Sequence, residues 1–171
     1  MKTKKGVSRM EALTKISDII SWVSKIAASV LIGALTIVLV LQVILRSMFN
    51  SGLAWSVEFS TFAIIWAVML ISNVLIKNNE LITVDFFDHL LSERFKKIRN
   101  IIYQVVFIFL LVIMTTFGWF QAVGSIDKYT STLGISWFYP YLSIPIGSAL
   151  MLYQYLYKIF FNIVTIKKGG E

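Results

Sequence analysis

The sequence predicts an all-α integral membrane protein with four transmembrane helices, an N-terminal amphipathic interfacial helix and both termini in the cytoplasm. Three observations carry this reading. First, four apolar runs, about 26–45, 57–76, 101–123 and 141–166, fill most of the 171 residues. Each reaches the ~20 residues that a helix needs to cross a ~30 Å hydrocarbon core. Lipid offers the backbone no hydrogen bonds, so a lone spanning segment must be helical. Second, apolar residues make up 57% of the chain and charged residues only 15%, against ~25% charged in average soluble domains. Third, the basic residues are placed asymmetrically. Of the sixteen Lys and Arg, fourteen lie before or at the opening of the first run, between the second and third, or at the end of the fourth; the other two connections hold only Arg46 and Lys128. Positive charge concentrates on the cytoplasmic side of spans.

In chain order, residues 1–25 form a cytoplasmic tail and amphipathic helix, 26–166 the transmembrane domain and 167–171 a second tail. Met10, Leu13, Ile16, Ile20 and Val23 recur at three- and four-residue steps, with Arg9, Glu11, Lys15, Asp18 and Lys25 between them. That period suits a helix lying in the interface with Trp22 near the headgroups; the alternative is a bent cytoplasmic extension of the first span. The first run is too long for the h-region of a signal peptide and is read as a retained span. Phe49-Asn50-Ser51-Gly52 supplies turn chemistry for the first hairpin. The connection 77–100 holds an apolar middle, Leu81 to Asp88, expected to lie on the membrane surface or on another protein. Ser92-Glu93 reads as a helix start that feeds the basic stretch Arg94–Arg99 into the third span, a topology signal beside anionic membrane lipids. The outer connection 124–140 ends in Trp137-Phe138-Tyr139-Pro140, with aromatic rings suited to the interface. Pro145 and Gly147 are expected to bend or loosen the opening turns of the fourth span.

Composition narrows the function. Cysteine is absent and His89 is the single histidine, which removes disulfides, thiol nucleophiles and haem held by paired histidines. The net charge of +7 is explained by topology rather than by nucleic acid. No room remains for a catalytic domain, so the chain is not read as an enzyme, and no cofactor or metal site is expected. Charge burial at the bilayer centre costs at least ~2.5–3.5 kcal/mol and marks function where it occurs, yet no ionisable residue falls near a midplane. The spans instead carry Gln42, Asn73, Thr115, Thr116, Gln121 and Gln154, suited to interhelical hydrogen bonds at ~0.6 kcal/mol each. The reading is of a scaffold whose substrate-handling machinery lies in another polypeptide.

Arg46 and Glu58, on either side of the first hairpin, admit two readings. Each suits the helix dipole at its own terminus, with Arg46 reaching lipid phosphates and Glu58 capping the second helix; alternatively they form a salt bridge, to each other or to a partner. Trp66, about ten residues into the second span, lies too deep for an interfacial belt and reads as a packing anchor between helices.

The ordered set Gln42-Val43-x-x-Arg46-x-x-Phe49-Asn50, Trp55, Glu58, Trp66 and Val84-Asp85, followed by Leu133-Gly134 and Ile144-Pro145-x-Gly147-x-x-Leu150-Met151, resembles the small membrane subunit of tripartite ATP-independent periplasmic (TRAP) transporters. The resemblance covers roughly residues 25–155. It departs at Val57, where many members carry a carboxylate next to the one at Glu58, and at Leu81, where many carry a histidine. It implies a non-catalytic scaffold in the bacterial inner membrane, unfused from a large membrane subunit that carries the substrate and sodium sites. It also implies a soluble periplasmic binding protein that delivers an organic acid, of sialic acid or C4-dicarboxylate type, to the outward face. Arg46, Asn50, Trp55, Glu58, Trp66, Asp85, Pro145 and Gly147 are the implied interface or structural positions. Two other classes are weighed beside it. An anchor subunit of another inner-membrane complex would need cofactor ligands, and a self-contained small transporter would need midplane charge.

Because the chain has no cysteine, single cysteines report topology cleanly. Lys128→Cys should react with a membrane-impermeant maleimide in intact spheroplasts, and Lys168→Cys only after permeabilisation. The reverse pattern would overturn the orientation.

Overall fold

The structure, a computed structural model, describes residues 2–78 and 93–168. They form four helices: α1 (Lys2–Phe49), α2 (Ser56–Asn78), α3 (Glu93–Val123) and α4 (Phe138–Lys168). Three of them, over Leu13–Phe49, Ser56–Asn78 and Ile101–Val123, are long and apolar enough to cross a membrane. α4 has the length but a more polar sequence. Its Ser143, Ser148 and Gln154 are fully buried against other helices, so the polarity that lowers its hydropathy faces protein rather than lipid.

α1 joins the N-terminal segment and the first span in one helix, as in the alternative reading of an extension of that span. It runs 48 residues without a break, about 72 Å at ~1.5 Å per residue, and carries no interruption at residue 25 between an interfacial segment and a span. The face it turns to the protein is made of small and hydroxyl residues. Ile16 and Val23, from the apolar stripe, are exposed, whereas Ser17, Ser21, Ser24 and Ala28 are buried. Between helices in lipid there is no hydrophobic drive, so small residues that let backbones approach, and hydroxyls that bond across, take the interior.

The helices lie in the spatial order α1, α2, α4, α3. α1 and α2 run antiparallel, as do α3 and α4, whereas α2 and α4 run parallel, and α4 also reaches α1 near the chain termini. Side-chain bonds set the register. Ser17 donates to Gln154 Oε1 at 2.6 Å, while Gln154 Nε2 donates to the Ser17 carbonyl at 3.0 Å and to Ser21 Oγ at 3.1 Å. Asn73 Nδ2 donates to Ser24 Oγ at 2.9 Å, and Lys77 pairs with Asp18 across the α1–α2 seam. At the end away from the chain termini, Gln42 Oε1 accepts the Leu53 N–H. The stretch of α1 from Asp18 to Gln42 therefore lies beside α2, whose 23 residues span about 35 Å.

α4 is held between its neighbours by glycines. A Cβ at Gly147 would fall 2.6 Å from Met69 Cβ on α2, and one at Gly118 of α3 would fall 3.1 Å from Pro145 Cδ. Thr115 and Ser148 share a hydrogen bond of 2.9 Å beside that crossing. Toward the termini, Ile76, Leu111 and Met151 form the apolar core, with Met69, Phe107, Leu152 and Tyr155 packed around them. Pro145 does not end α4, which runs through it unbroken.

Gly147→Ala should therefore lower the thermal unfolding midpoint in detergent, at a cost on the order of 1–3 kcal/mol for overpacking. Gly33→Ala, which meets nothing within 4 Å, should not. Equal midpoints for both variants would remove the α2–α4 crossing as a constraint.

Candidate functional site: the outer face

The face opposite the chain termini, termed outer after the orientation expected from charge, is built by two connections with different devices. In the first, α1 ends at Phe49 and Asn50 takes φ +49°. Asn tolerates the left-handed region better than any residue but glycine, so the chain reverses there. It returns to Gln42, which takes the Leu53 N–H, and α2 starts at Ser56, whose hydroxyl donates to the Leu53 carbonyl at 2.7 Å. Arg46 is exposed beside this turn, in an open cleft of about 410 Å³ with Gln42, Asn50, Gly52, Leu53 and Val57.

The second connection, after α3, folds into a short hairpin. Tyr129 and Ser136 form an antiparallel bridge, Thr130 N–H donates to the Ile135 carbonyl at 2.9 Å, and Trp137 N–H donates to the Lys128 carbonyl at 2.8 Å. Gly134, at φ +65°, supplies the left-handed residue that closes the tip. The base is pinned by Ser136 Oγ, which donates to the Ile126 carbonyl at 2.7 Å.

The tip at 131–133 turns three successive backbone N–H groups to one side, an arrangement that binds anions. Glu58 fills it. Its Oε1 accepts Ser131 N–H at 3.1 Å, Ser131 Oγ–H at 2.9 Å and Thr132 N–H at 3.1 Å; its Oε2 accepts Leu133 N–H at 2.8 Å. A carboxylate is acceptor-only and takes several donors at once. Glu58 thus latches the outer hairpin onto the first turn of α2. It neither caps α2 nor pairs with Arg46, and Arg46 has no ion-pair partner among the described residues.

Aromatic rings collect at this level. Trp137 stacks on Tyr141 at 5.7 Å and meets Phe62 edge-on at 5.5 Å, and Trp55 meets Phe59 edge-on at 6.0 Å. The Trp66 indole N–H donates to the Tyr139 carbonyl at 3.1 Å, tying α2 to the opening turn of α4.

Of the residues singled out from sequence, Arg46, Asn50, Trp55 and Glu58 gather on the outer face, with Trp66 one step inward. Pro145 and Gly147 lie at the helix crossings instead. Asp85 falls outside the described residues, as do Leu81 and His89. The loop partners of Glu58 and the serine stripe of α1 were missed. The stripe was readable, since Ser17, Ser21, Ser24 and Ala28 repeat at helical spacing; no local signal joins Glu58 to residues 73 or more positions away. Among the described residues no group of three or more His, Asp or Glu could hold a metal ion.

Glu58→Ala should free the hairpin and raise the rate of tryptic cleavage after Lys128 several-fold, while Arg46→Ala leaves it unchanged. Matching rates in the two variants would mean that they act as a pair.

The profile of the family described as "Tripartite ATP-independent periplasmic transporters, DctQ component" matches residues 35–164. The chain is 26% identical over 135 residues to the sialic acid TRAP transporter permease protein SiaT of Haemophilus influenzae, a match covering 76% of this chain and 21% of that protein. The chain therefore spans about a fifth of that relative's length. It is 25% identical over 162 residues to the C4-dicarboxylate TRAP transporter small permease protein DctQ of Vibrio cholerae (79% of this chain, 68% of that one). It is 24% identical over 157 residues to the sialic acid TRAP transporter small permease protein SiaQ of the same organism (92% and 90%). With most of its length inside the family profile, the chain belongs to the DctQ family of TRAP transporter small permease subunits, multi-pass membrane components of a transporter rather than enzymes.

Proposed function

We propose that this chain is the non-catalytic scaffold of a sodium-coupled TRAP transporter that imports an organic acid across a bacterial inner membrane. In this reading α4 is the fourth span, both termini are cytoplasmic, and the first turns of α1 ride at the inner interface. A large membrane subunit carries the substrate and sodium sites. A periplasmic binding protein delivers the acid to the outer face.

One observation supports the scaffold role above others: most buried side-chain amides and hydroxyls of the helices are engaged with each other, Asn73 Oδ1 and Ser60 Oγ excepted. Ser17, Ser21, Ser24, Asn73, Ser148 and Gln154 bond across helix seams, so they hold helices together rather than line a path for a solute. The outer face supports the docking role, because its loop is latched in place while Trp55, Tyr129 and Tyr139 stay exposed. Sialic acid and C4-dicarboxylate, named for the relatives, are both carboxylates. Identities of 26%, 25% and 24% do not separate them, and sialic acid is the slightly preferred cargo.

A mild-detergent pulldown of the tagged chain from its native membrane should retain one large multi-span protein in stoichiometric amount. A stable homo-oligomer that moves an organic acid after reconstitution alone would overturn the scaffold reading.

A further inference from the structure

Between α1 and α2, at the end where the chain termini lie, a cleft of about 480 Å³ opens among Asp18, Ile19, Trp22, Lys25, Val74 and Lys77. Its depth is fixed by Lys77, in the last turn of α2, which places the cleft at the boundary between hydrocarbon and headgroups. The Trp22 indole is exposed beside it, and amphipathic rings favour that level. Two ammonium groups line the cleft against one carboxylate. Lys77 is bonded to Asp18, which leaves Lys25, exposed and without an ion-pair partner among the described residues, as its surplus cation.

From this charged pocket an apolar track runs along α1 toward the opposite leaflet. Trp22, Ile26, Val30 and Ile37 are exposed on α1, and their steps of four, four and seven residues keep them close to one side of the helix. Gly33 breaks the ridge, and a side chain there would meet nothing within 4 Å. A cationic cleft opening onto an apolar groove matches a molecule with an anionic head and a hydrocarbon tail. A free phosphate would use only the cleft.

The geometry points to a binding site for one phospholipid. Its phosphate rests between Lys25 and Lys77, and an acyl chain lies along α1 past the notch at Gly33. The site sits in the leaflet at the α1 N-terminal side and uses residues of this chain alone.

The test is native mass spectrometry of the detergent-purified, delipidated full chain, with any subunits it retains, titrated with phosphatidylglycerol. One lipid should bind saturably, and Lys25→Gln should weaken it about five-fold, the size expected for one lysine beside an anionic lipid surface. Lys25 is exposed, so this substitution does not threaten folding, and Lys128→Gln on the opposite side should leave binding unchanged. Equal affinity in the wild-type and Lys25→Gln proteins, or equal weakening by Lys128→Gln, would overturn the site. Displacement of the lipid by glycerol 3-phosphate at matched concentration would overturn it as a lipid site and assign the cleft to a soluble anion.

Discussion

The contact on which the remaining architecture depends is the one between Gln154 of α4 and the serines of α1. A helix surrounded by lipid gains little by burying apolar surface against another helix, because the lipid tails are equally apolar. What distinguishes one arrangement from another is how closely backbones approach and which polar groups find partners. Gln154 is fully buried and reaches Ser17 and Ser21 with both ends of its amide. Asn73 of α2 reaches Ser24 on the same stripe. Each such bond contributes only about 0.6 kcal/mol, but an α1 shifted by one residue would offer the amides no hydroxyl. The bonds are weak as glue and strong as register.

Register at one end carries to the other because a helix is stiff. From Ser24 to Gln42 is about 27 Å along α1, and Gln42 arrives at the level of Leu53, whose N–H it accepts. The turn at Asn50 and the start of α2 therefore inherit a position set near the chain termini. α4 acts similarly on the far side. Glycines bring it close to Met69 of α2, and Pro145 close to α3 at Gly118, while Trp66 holds its first turn. The outer hairpin belongs in sequence to α3 and α4, yet its tip is fastened to α2 by Glu58. Two halves of the chain are thus joined at the outer face by a bond that neither half makes alone.

The three most apolar spans were legible because they depend on local composition, which lipid reads directly. The start of α3 at Glu93 was legible for the same reason: Ser92-Glu93 is a local signal. The interior was less so. Ile16 and Val23 were read as the membrane-facing side of the helix and are exposed, but that the serines on the other side pack against α2 and α4 was not read. Gln154 and Asn73 were recognised as interhelical bonding groups, but their partners on α1 needed the fold. The Glu58 latch was illegible because, the Ser131 hydroxyl apart, its donors are backbone N–H groups, whose direction depends on a hairpin closed by Gly134 and not on side-chain identity.

That distinction bears on the departure at Val57. Family members with two consecutive carboxylates would place acids about 100° apart around α2, since adjacent residues on a helix do not share a face. Glu58 lies over the hairpin tip, and its two oxygens already take the N–H groups of Ser131, Thr132 and Leu133. Position 57 is exposed and lines the open cleft with Arg46, so a carboxylate there would face the arginine side rather than the loop. Valine at 57 therefore leaves the latch whole. What it removes is a negative charge from the cleft, so that Arg46 stands at the outer face as a cation that the described chain does not neutralise.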